Sequence, residues 1–291
     1  MSSPIRRVAI VGGTHGNEWT GVYLVKQFQQ FPKMIARSSF ETITILANPK
    51  AIAANCRYLD RDLNRSFASE DLANPNLQGY EDQRAKEIAA QLRGVDVILD
   101  LHSTTSNMGL TILPSTPDAF NLRLSAYLSQ QHLDVRVALG MDCTQDAPML
   151  RSRAQSGCTI EVGAVAQGVL NAHFLQQTEQ LVYTILDYLE ALNQGKSLTV
   201  PSSLTLYQAI AVVDYPRDAT GNLAGCIHPQ LQFKDYEPLH PNDPMFLSFT
   251  GETIPYQGES TVFPIFINEA AYYEKGIAMI LTEMRQVECP D

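Results

Sequence analysis

Apolar runs and amphipathic segments alternate along the first two thirds of the chain. Near-continuous apolar runs, such as V-D-V-I-L-D-L at residues 95–101, are typical of strands buried inside a parallel sheet. Runs of this kind predict strands over residues 6–11, 42–47, 95–101, 110–113, 135–139 and 159–162. Helices are predicted over residues 18–31, 79–93, 117–131 and 171–193. Because strands alternate with helices, the pattern indicates an α/β sheet covered by helices on both faces.

The pattern changes near residue 200. A linker-like segment at residues 194–203 combines Gly, Ser and Pro. Short β-type runs follow, at residues 207–213, 245–249 and 262–267. Helical periodicity returns only in the last dozen residues. We therefore expect a larger α/β domain over residues 1–199 and a smaller β-rich domain over residues 200–291.

Composition and charge limit the classes of function. A chain of 291 residues can form one large domain or two unequal ones. The formal net charge of -10 argues against a general binder of nucleic acid or anionic membranes. An anionic small substrate then needs a local cluster of arginines. No apolar stretch approaches the roughly 20 residues of a membrane span, and the short apolar run near the N-terminus does not fit a signal peptide.

The cysteines predict the compartment. Their number is odd, they are widely scattered, and they form no C-x-x-C pair. We expect a reducing cytoplasm and mostly buried thiols, at Cys56, Cys143, Cys158, Cys226 and Cys289.

Residue types that bind zinc follow two of the predicted strands, and a further one lies within a third. The stretch V-G-G-T-H-G-N-E places His15 and Glu18 after the first strand, and His102 follows residues 95–101. Ligands bind at the carboxyl ends of strands in open α/β sheets. If His15 and Glu18 lie on the first turn of a helix, both can reach one ion. Asp100 can then orient a ligand, and Glu161 supplies a second carboxylate nearby.

The stretch around His15 has two other interpretations. A tight turn carrying a surface pair is one, and a phosphate-binding loop at a helix N-terminus is the other. The sequence has neither the G-x-G-x-x-G spacing nor the G-K-[ST] ending of the common nucleotide motifs. The remaining histidines lie in helical or Pro-rich contexts and are expected to be structural or exposed: His132, His173, His228 and His240.

A charged loop follows the second strand. It reads R-Y-L-D-R-D-L-N-R-S-F and spans residues 57–67. One interpretation is a solvated surface loop. The other is an anion pocket in an acidic protein, since Arg57, Asn64 and Arg65 can bind a carboxylate while Asp60 and Asp62 hold the loop together.

Five motifs in order along the chain resemble the aspartoacylase family. These zinc-dependent N-acyl-amino-acid amidohydrolases are related to zinc carboxypeptidases and to succinylglutamate desuccinylase. The motifs are G-G-T-H-G-N-E, A-N-P-x-A with R-Y-L-D-R-D-L-N-R, D-L-H-S-T-T-S-N-M-G, I-E-V-G-A-V-A-Q-G-V-L and V-F-P-I-F-I-N-E-A-A-Y-Y-E-K. The resemblance implies a carboxypeptidase-like mixed sheet flanked by helices, with a smaller β-rich C-terminal domain that covers the active site.

The same resemblance implies roles for single residues. It implies one zinc ion per subunit, bound by His15, Glu18 and His102. Glu161 corresponds to the general base that activates water, and Arg57 to the residue that polarises the scissile carbonyl. The groups that bind the α-carboxylate correspond to Asn64, Arg65 and Tyr272. Arg151 corresponds to the residue that binds the side-chain carboxylate of the substrate. Glu269 corresponds to a residue with a structural role beside the site. The family also suggests a homo-oligomer.

The substrate is less closely defined than the reaction. Characterised aspartoacylases carry a tyrosine where this chain has Ala147. N-acetyl-L-aspartate is the expected substrate, with other N-acyl amino acids as alternatives. The rival functions are an N-succinylglutamate-type desuccinylase, a carboxypeptidase-like peptidase and a binding protein without catalysis.

Overall fold

The secondary structure follows the predicted alternation over the first two thirds of the chain. The computed structural model describes residues 4–141, 143–144 and 146–289. Among the described residues the strands are β1 (Arg7–Gly12), β2 (Glu41–Leu46), β3 (Val97–Ser103), β4 (Gly109–Pro114), β5 (Val135–Leu139), β6 (Ser156–Gly163), β7 (Ser203–Val213), β8 (Gly225–Ile227), β9 (Pro244–Ser248), β10 (Thr253–Pro255), β11 (Phe263–Ile265) and β12 (Met279–Glu288). The α-helices are α1 (Trp19–Gln30), α2 (Pro49–Ala54), α3 (Ser69–Ala73), α4 (Tyr80–Gln91), α5 (Ala119–Gln131) and α6 (Ala172–Asn193).

A nine-stranded mixed sheet runs through the molecule, in the order β11-β12-β7-β5-β4-β6-β3-β1-β2. Strands β2, β1, β3 and β6 are parallel neighbours, whereas β4 is antiparallel to β6 and parallel to β5. Strands β8, β9 and β10 form a separate antiparallel sheet. The α/β class with a mixed sheet is therefore confirmed.

Two apolar layers cover the central sheet. Side chains of successive strand residues point to opposite faces, so Val8 and Ile10 join a core with α1, α5 and α6. Ala9 and Val11 join a second core with α4. Since β1 and β3 are buried on both faces, their ends are held firmly in the middle of the sheet. No helix in the described part of the chain combines the length and apolarity that crossing a bilayer requires.

The C-terminal residues form a strand rather than a helix. Residues Met279–Glu288 pair along their length with β7, so the helical periodicity expected there is wrong. The register shifts between Leu281 and Thr282, which places both side chains in the interior and hides the alternation of a strand. Strand β7 pairs with β5 and thereby joins the C-terminal part to the central sheet. The division into two domains at residue 200 stays a prediction.

The cysteines are less buried than expected. No disulfide joins the five cysteines, which all lie in the described part of the chain, and Cys158 and Cys289 are buried. Cys226 is exposed, and Cys56 and Cys143 are partly exposed. Most of the thiols therefore do not lie in the core.

The end of β1 lies against α1 with no space for a side chain. A Cβ atom on Gly12 would lie 2.2 Å from the carbonyl oxygen of Gly21. One on Gly21 would lie 2.5 Å from the carbonyl oxygen of Leu101 in β3. Both contacts are with backbone, which cannot move aside as a side chain can. The glycines thus bring the start of α1 close to the ends of β1 and β3.

The variant Gly12→Ala is expected to destabilise the protein. Overpacking a filled interior costs about 1–3 kcal/mol, and the clash falls on backbone. Urea unfolding followed by circular dichroism measures the loss. In the control Gly79→Ala the nearest atom is a side-chain carboxylate oxygen of Asp82 at 3.0 Å, and the expected loss is below about 1 kcal/mol. Equal losses in the two variants would contradict a tight β1–α1 contact.

Candidate active site

The predicted metal ligands lie at one edge of the central sheet. His15 follows β1, and His102 lies in β3, which pairs with β1. In the register of β3 and β6, His102 is paired with Glu161. The parallel arrangement of β1, β3 and β6 therefore brings together side chains that are far apart in the sequence.

Glu18 lies between the two histidines. Its Oε1 is 2.6 Å from Nδ1 of His15, and its Oε2 is 2.8 Å from Nδ1 of His102. One ligand atom from each of the three residues lies within 4.8 Å of the others, and all three residues are buried. Two imidazole nitrogens and a carboxylate at this spacing form a donor set that suits zinc.

His15 reaches the site from a turn, so the expectation that it shares a helical turn with Glu18 is wrong. Helix α1 begins at Trp19, and Glu18 is its N-cap residue. The backbone N–H of Glu18 donates to the carbonyl of His15 over 3.3 Å. Gly16 lets this turn lie on α2, since a Cβ there would be 2.1 Å from the carbonyl carbon of Ala51.

A carboxylate lies behind each histidine. Asp62 Oδ1 is 3.0 Å from Nε2 of His15, and Asp100 Oδ2 is 2.9 Å from Nε2 of His102. Thr14 in turn donates to Asp100 over 2.8 Å. Carboxylates on the remote ring nitrogens orient metal-binding histidines and make them more basic. The arrangement therefore fits a metal, and it assigns to Asp62 a role beyond holding its own loop.

Burial and charge act in opposite directions on the ligand pKa values. Burial alone would raise the pKa of Glu18, but His15 and His102 outweigh it and lower that pKa well below its usual range. Burial would lower the pKa of His102, but Asp100 and Glu18 raise it. For Asp62, burial is outweighed by His15, Arg57 and Lys275, so its pKa is also lowered. Glu18 and His102 therefore stabilise each other as charges, and the cations around Asp62 keep it ionised.

Glu161 has the opposite shift. Burial raises the pKa of its carboxyl well above the usual value. His102 acts against this shift, and the carboxylates of Glu18 and Glu269 add to it. A carboxyl that binds protons more readily than usual is suited to accepting and returning one.

All the sequence-predicted site residues line one cavity of about 280 Å³. Arg57 enters it with Nη1 3.1 Å from Oε1 of Glu18 and Nη2 3.4 Å from Oδ2 of Asp62. No local sequence pattern indicates the apolar part of the lining, which comes from separate elements: Leu113, Met141, Met149, Ala209, Phe266 and Ile280. Ala147 is buried and does not line the cavity.

Asn64, Arg65 and Tyr272 lie together in the lining as potential carboxylate ligands. The side-chain oxygen of Asn64 accepts a hydrogen bond from the backbone N–H of Leu150 over 2.9 Å, which orients its amide group. Burial raises the pKa of Tyr272 to about 12, against the effect of the nearby arginines. Its phenol therefore keeps its proton and can donate to an anion.

Arg151 is a buried cation that forms no salt bridge among the described residues, although Asp100 and Cys143 lie near enough to act against the effect of burial. It is 6% exposed, and Nη1 lies 3.3 Å from the hydroxyl of Thr159. Burial lowers the pKa of its guanidinium. Burying a charge without an opposite charge is costly, so this position favours an anionic group in the cavity.

Glu269 connects the loop after β3 to the segment that carries Tyr272. Its carboxylate accepts hydrogen bonds from the backbone N–H of Thr105 at 2.7 Å and of Ser106 at 3.3 Å, and from the hydroxyl of Thr104. The other oxygen accepts from the N–H of Ala271 over 3.0 Å and caps the 3₁₀ helix Ala270–Lys275. Glu269 thereby fixes Tyr272 beside the site.

The chain is similar to known proteins along nearly its whole length. Residues 4–189 match the succinylglutamate desuccinylase/aspartoacylase catalytic domain, and residues 202–284 match the AstE/AspA barrel-sandwich hybrid domain. A probable aspartoacylase of Nostoc sp. is 57% identical over 97% of this chain and 98% of its own. The human N-acyl-aromatic-L-amino acid amidohydrolase (carboxylate-forming) is 43% identical over 96% of this chain and 91% of its own.

A solved structure has the same fold. The crystal structure of murine aminoacylase 3 superposes with a TM-score of 0.94 at 42% identity, over 100% of this chain and 99% of that one. Its similarity includes the C-terminal part as well as the central sheet. With both family domains matched in order, the chain belongs to the succinylglutamate desuccinylase/aspartoacylase family.

Proposed function

We propose that this protein is a zinc-dependent amidohydrolase that cleaves N-acyl-L-amino acids, with N-acetyl-L-aspartate as its preferred substrate. The observation that carries the proposal is the buried group of His15, Glu18 and His102, with Glu161 on the adjacent strand. Membership of a family whose named relatives are hydrolases supports the reaction type. The products are a carboxylate and a free amino acid.

The positions of the side chains support the proposed catalytic roles. Zinc held by the two histidines and Glu18 supplies a Lewis acid that polarises the scissile carbonyl and lowers the pKa of water. Glu161 accepts a proton from the attacking water and passes it to the amine nitrogen as the C–N bond breaks. Arg57 donates hydrogen bonds to the carbonyl oxygen as negative charge develops on it.

The cations of the cavity support an acidic substrate. Asn64, Arg65 and Tyr272 bind the α-carboxylate, and Arg151 binds a second carboxylate on the side chain of the amino acid. Arg151 supports this preference because it is buried and forms no salt bridge among the described residues. Charge-assisted hydrogen bonds in a buried pocket are the strong ones.

The apolar lining supports a second candidate substrate. Leu113, Met149 and Ile280 provide a surface on which an aromatic side chain can pack. Relatives named for N-acyl-aromatic amino acids are 43% identical to this chain. The second candidate is therefore hydrolysis of N-acyl-aromatic amino acids, and comparison of kcat/KM for N-acetyl-L-aspartate and N-acetyl-L-phenylalanine decides between the two.

Removing a carboxylate behind a histidine is expected to weaken zinc binding. The variant Asp100→Asn keeps the shape of the side chain but removes its charge, and such changes typically cost about 10–100-fold in metal affinity. Competition with a chromogenic chelator measures the dissociation constant. Asp187→Asn, at an exposed carboxylate paired with Arg37, serves as control and should bind zinc as the wild type does. Equal affinities in all three proteins would contradict the proposed site.

The general base can be tested by Glu161→Gln. We expect kcat to fall by about 10²–10⁴-fold because glutamine cannot accept the proton. Zinc content, measured by atomic absorption, should stay unchanged. Glu283→Gln, at an exposed residue paired with Arg285, should retain full activity. A Glu161→Gln enzyme with nearly normal kcat would exclude this carboxylate as the base.

Arg151→Ala tests the substrate preference. Loss of a hydrogen-bonded charge pair costs about 1.5–3 kcal/mol, which corresponds to about 10–100-fold. We expect KM for N-acetyl-L-aspartate to rise by this factor, while KM for N-acetyl-L-phenylalanine changes little. Arg151→Lys should give an intermediate value for the acidic substrate. A similar rise for both substrates would show that Arg151 does not bind the side-chain carboxylate.

A further inference from the structure

Lys275 reaches the active site from the 3₁₀ helix Ala270–Lys275 without lining the cavity. Its ammonium group donates to Oδ2 of Asp62 over 2.6 Å. We propose that Lys275 is a positioning residue: by pairing with the carboxylate of Asp62, it keeps the guanidinium of Arg57 directed toward the substrate carbonyl. The inference rests on the proposed function, in which Arg57 polarises that carbonyl.

Asp62 has several donors on its two oxygens. Oδ1 is 3.0 Å from Nε2 of His15 and accepts the backbone N–H of Asn64 over 3.0 Å. Oδ2 accepts from Lys275 at 2.6 Å and from Arg57 at 3.4 Å. The side chain of Asp62 is only 7% exposed, so protein groups supply its countercharges. Lys275 is the closer cation on Oδ2, and Nη2 of Arg57 makes only a long contact with it, while Nη1 lies 3.1 Å from Oε1 of Glu18.

The loose contact leaves Arg57 available to the substrate. An arginine that pairs tightly with a carboxylate does so at about 2.7–2.9 Å, well inside the 3.4 Å found here. Without Lys275, a buried and negatively charged Asp62 would draw the guanidinium of Arg57 toward itself. The guanidinium would then move away from the position where the carbonyl oxygen becomes negative. The resulting defect lies in the chemical step.

A simpler role for Lys275 would be to hold its 3₁₀ helix against the charged loop of residues 57–67. The structure provides a matched contact for that role, since the hydroxyl of Tyr58 donates to Glu274 over 2.7 Å. This bond joins the same two segments, since Tyr58 follows Arg57 and Glu274 precedes Lys275 in the sequence. It does not involve Asp62. If the contact only connects the two segments, variants at Tyr58 and at Lys275 should therefore have the same defect. Loss of the cation that pairs with Asp62 should occur only in variants at Lys275.

The test compares Lys275→Met, Lys275→Arg and Tyr58→Phe in the zinc-loaded enzyme. Displacing a catalytic group by a fraction of its contact distance costs up to about 100-fold, so we expect Lys275→Met to lower kcat by about 10–100-fold with KM nearly unchanged. Lys275→Arg restores a cation on Asp62 and should recover most of kcat. Tyr58→Phe should keep the wild-type kcat. All variants should contain as much zinc as the wild type.

Crystal structures give a second readout that does not depend on activity. In Lys275→Met we expect the distance between Arg57 Nη2 and Asp62 Oδ2 to shorten to below about 3 Å. An unchanged distance would overturn the inference, and so would an equal rise in KM for Lys275→Met and Tyr58→Phe with normal kcat. If the wild type hydrolyses no N-acyl amino acid, the proposed function fails, and the crystal structure still decides whether Lys275 controls the position of Arg57.

Discussion

The pairing of the Glu18 carboxylate with two buried imidazoles is the interaction on which the rest of the site depends. A buried carboxylate is costly unless positive or hydrogen-bonding groups surround it. Here the histidines come from the turn after β1 and from β3, and a further carboxylate lies next to the second ring nitrogen of each. Charges of both signs thus alternate across the end of the sheet, and the position of each group depends on its neighbours.

Much of this arrangement could be predicted from the sequence. Strands β1 and β3 are buried on both faces and therefore appear as continuous apolar runs, and the polar residues after them mark the edge where ligands collect. Helix boundaries were accurate to a few residues because periodicity identifies the body of a helix better than its ends. The placement of His15, His102 and Glu161 at one edge follows from parallel pairing alone.

The rest depends on contacts that no local pattern encodes. Strand β12 was missed because its register shift puts two successive residues in the interior. A spacing of three residues between His15 and Glu18 suits a turn as well as a helix, so the sequence alone does not distinguish the two. The pairing of Asp62 with His15 and with Lys275 joins residues far apart in the chain. Sequence patterns indicate which residues are charged, but distances of this kind require the folded chain.

The pairing of β5 with β7 has a consequence for how the chain can be divided. Ala209 of β7 and Ile280 of β12 form part of the cavity wall. A fragment that ended before β7 would therefore have an open cavity and would also expose the edge of β5, with unpaired amide and carbonyl groups. Such an edge is a template for aggregation. The part of the chain that carries every predicted metal ligand thus depends on the C-terminal part to cover the edge of β5. Cutting the chain there would produce an insoluble fragment instead of a smaller enzyme.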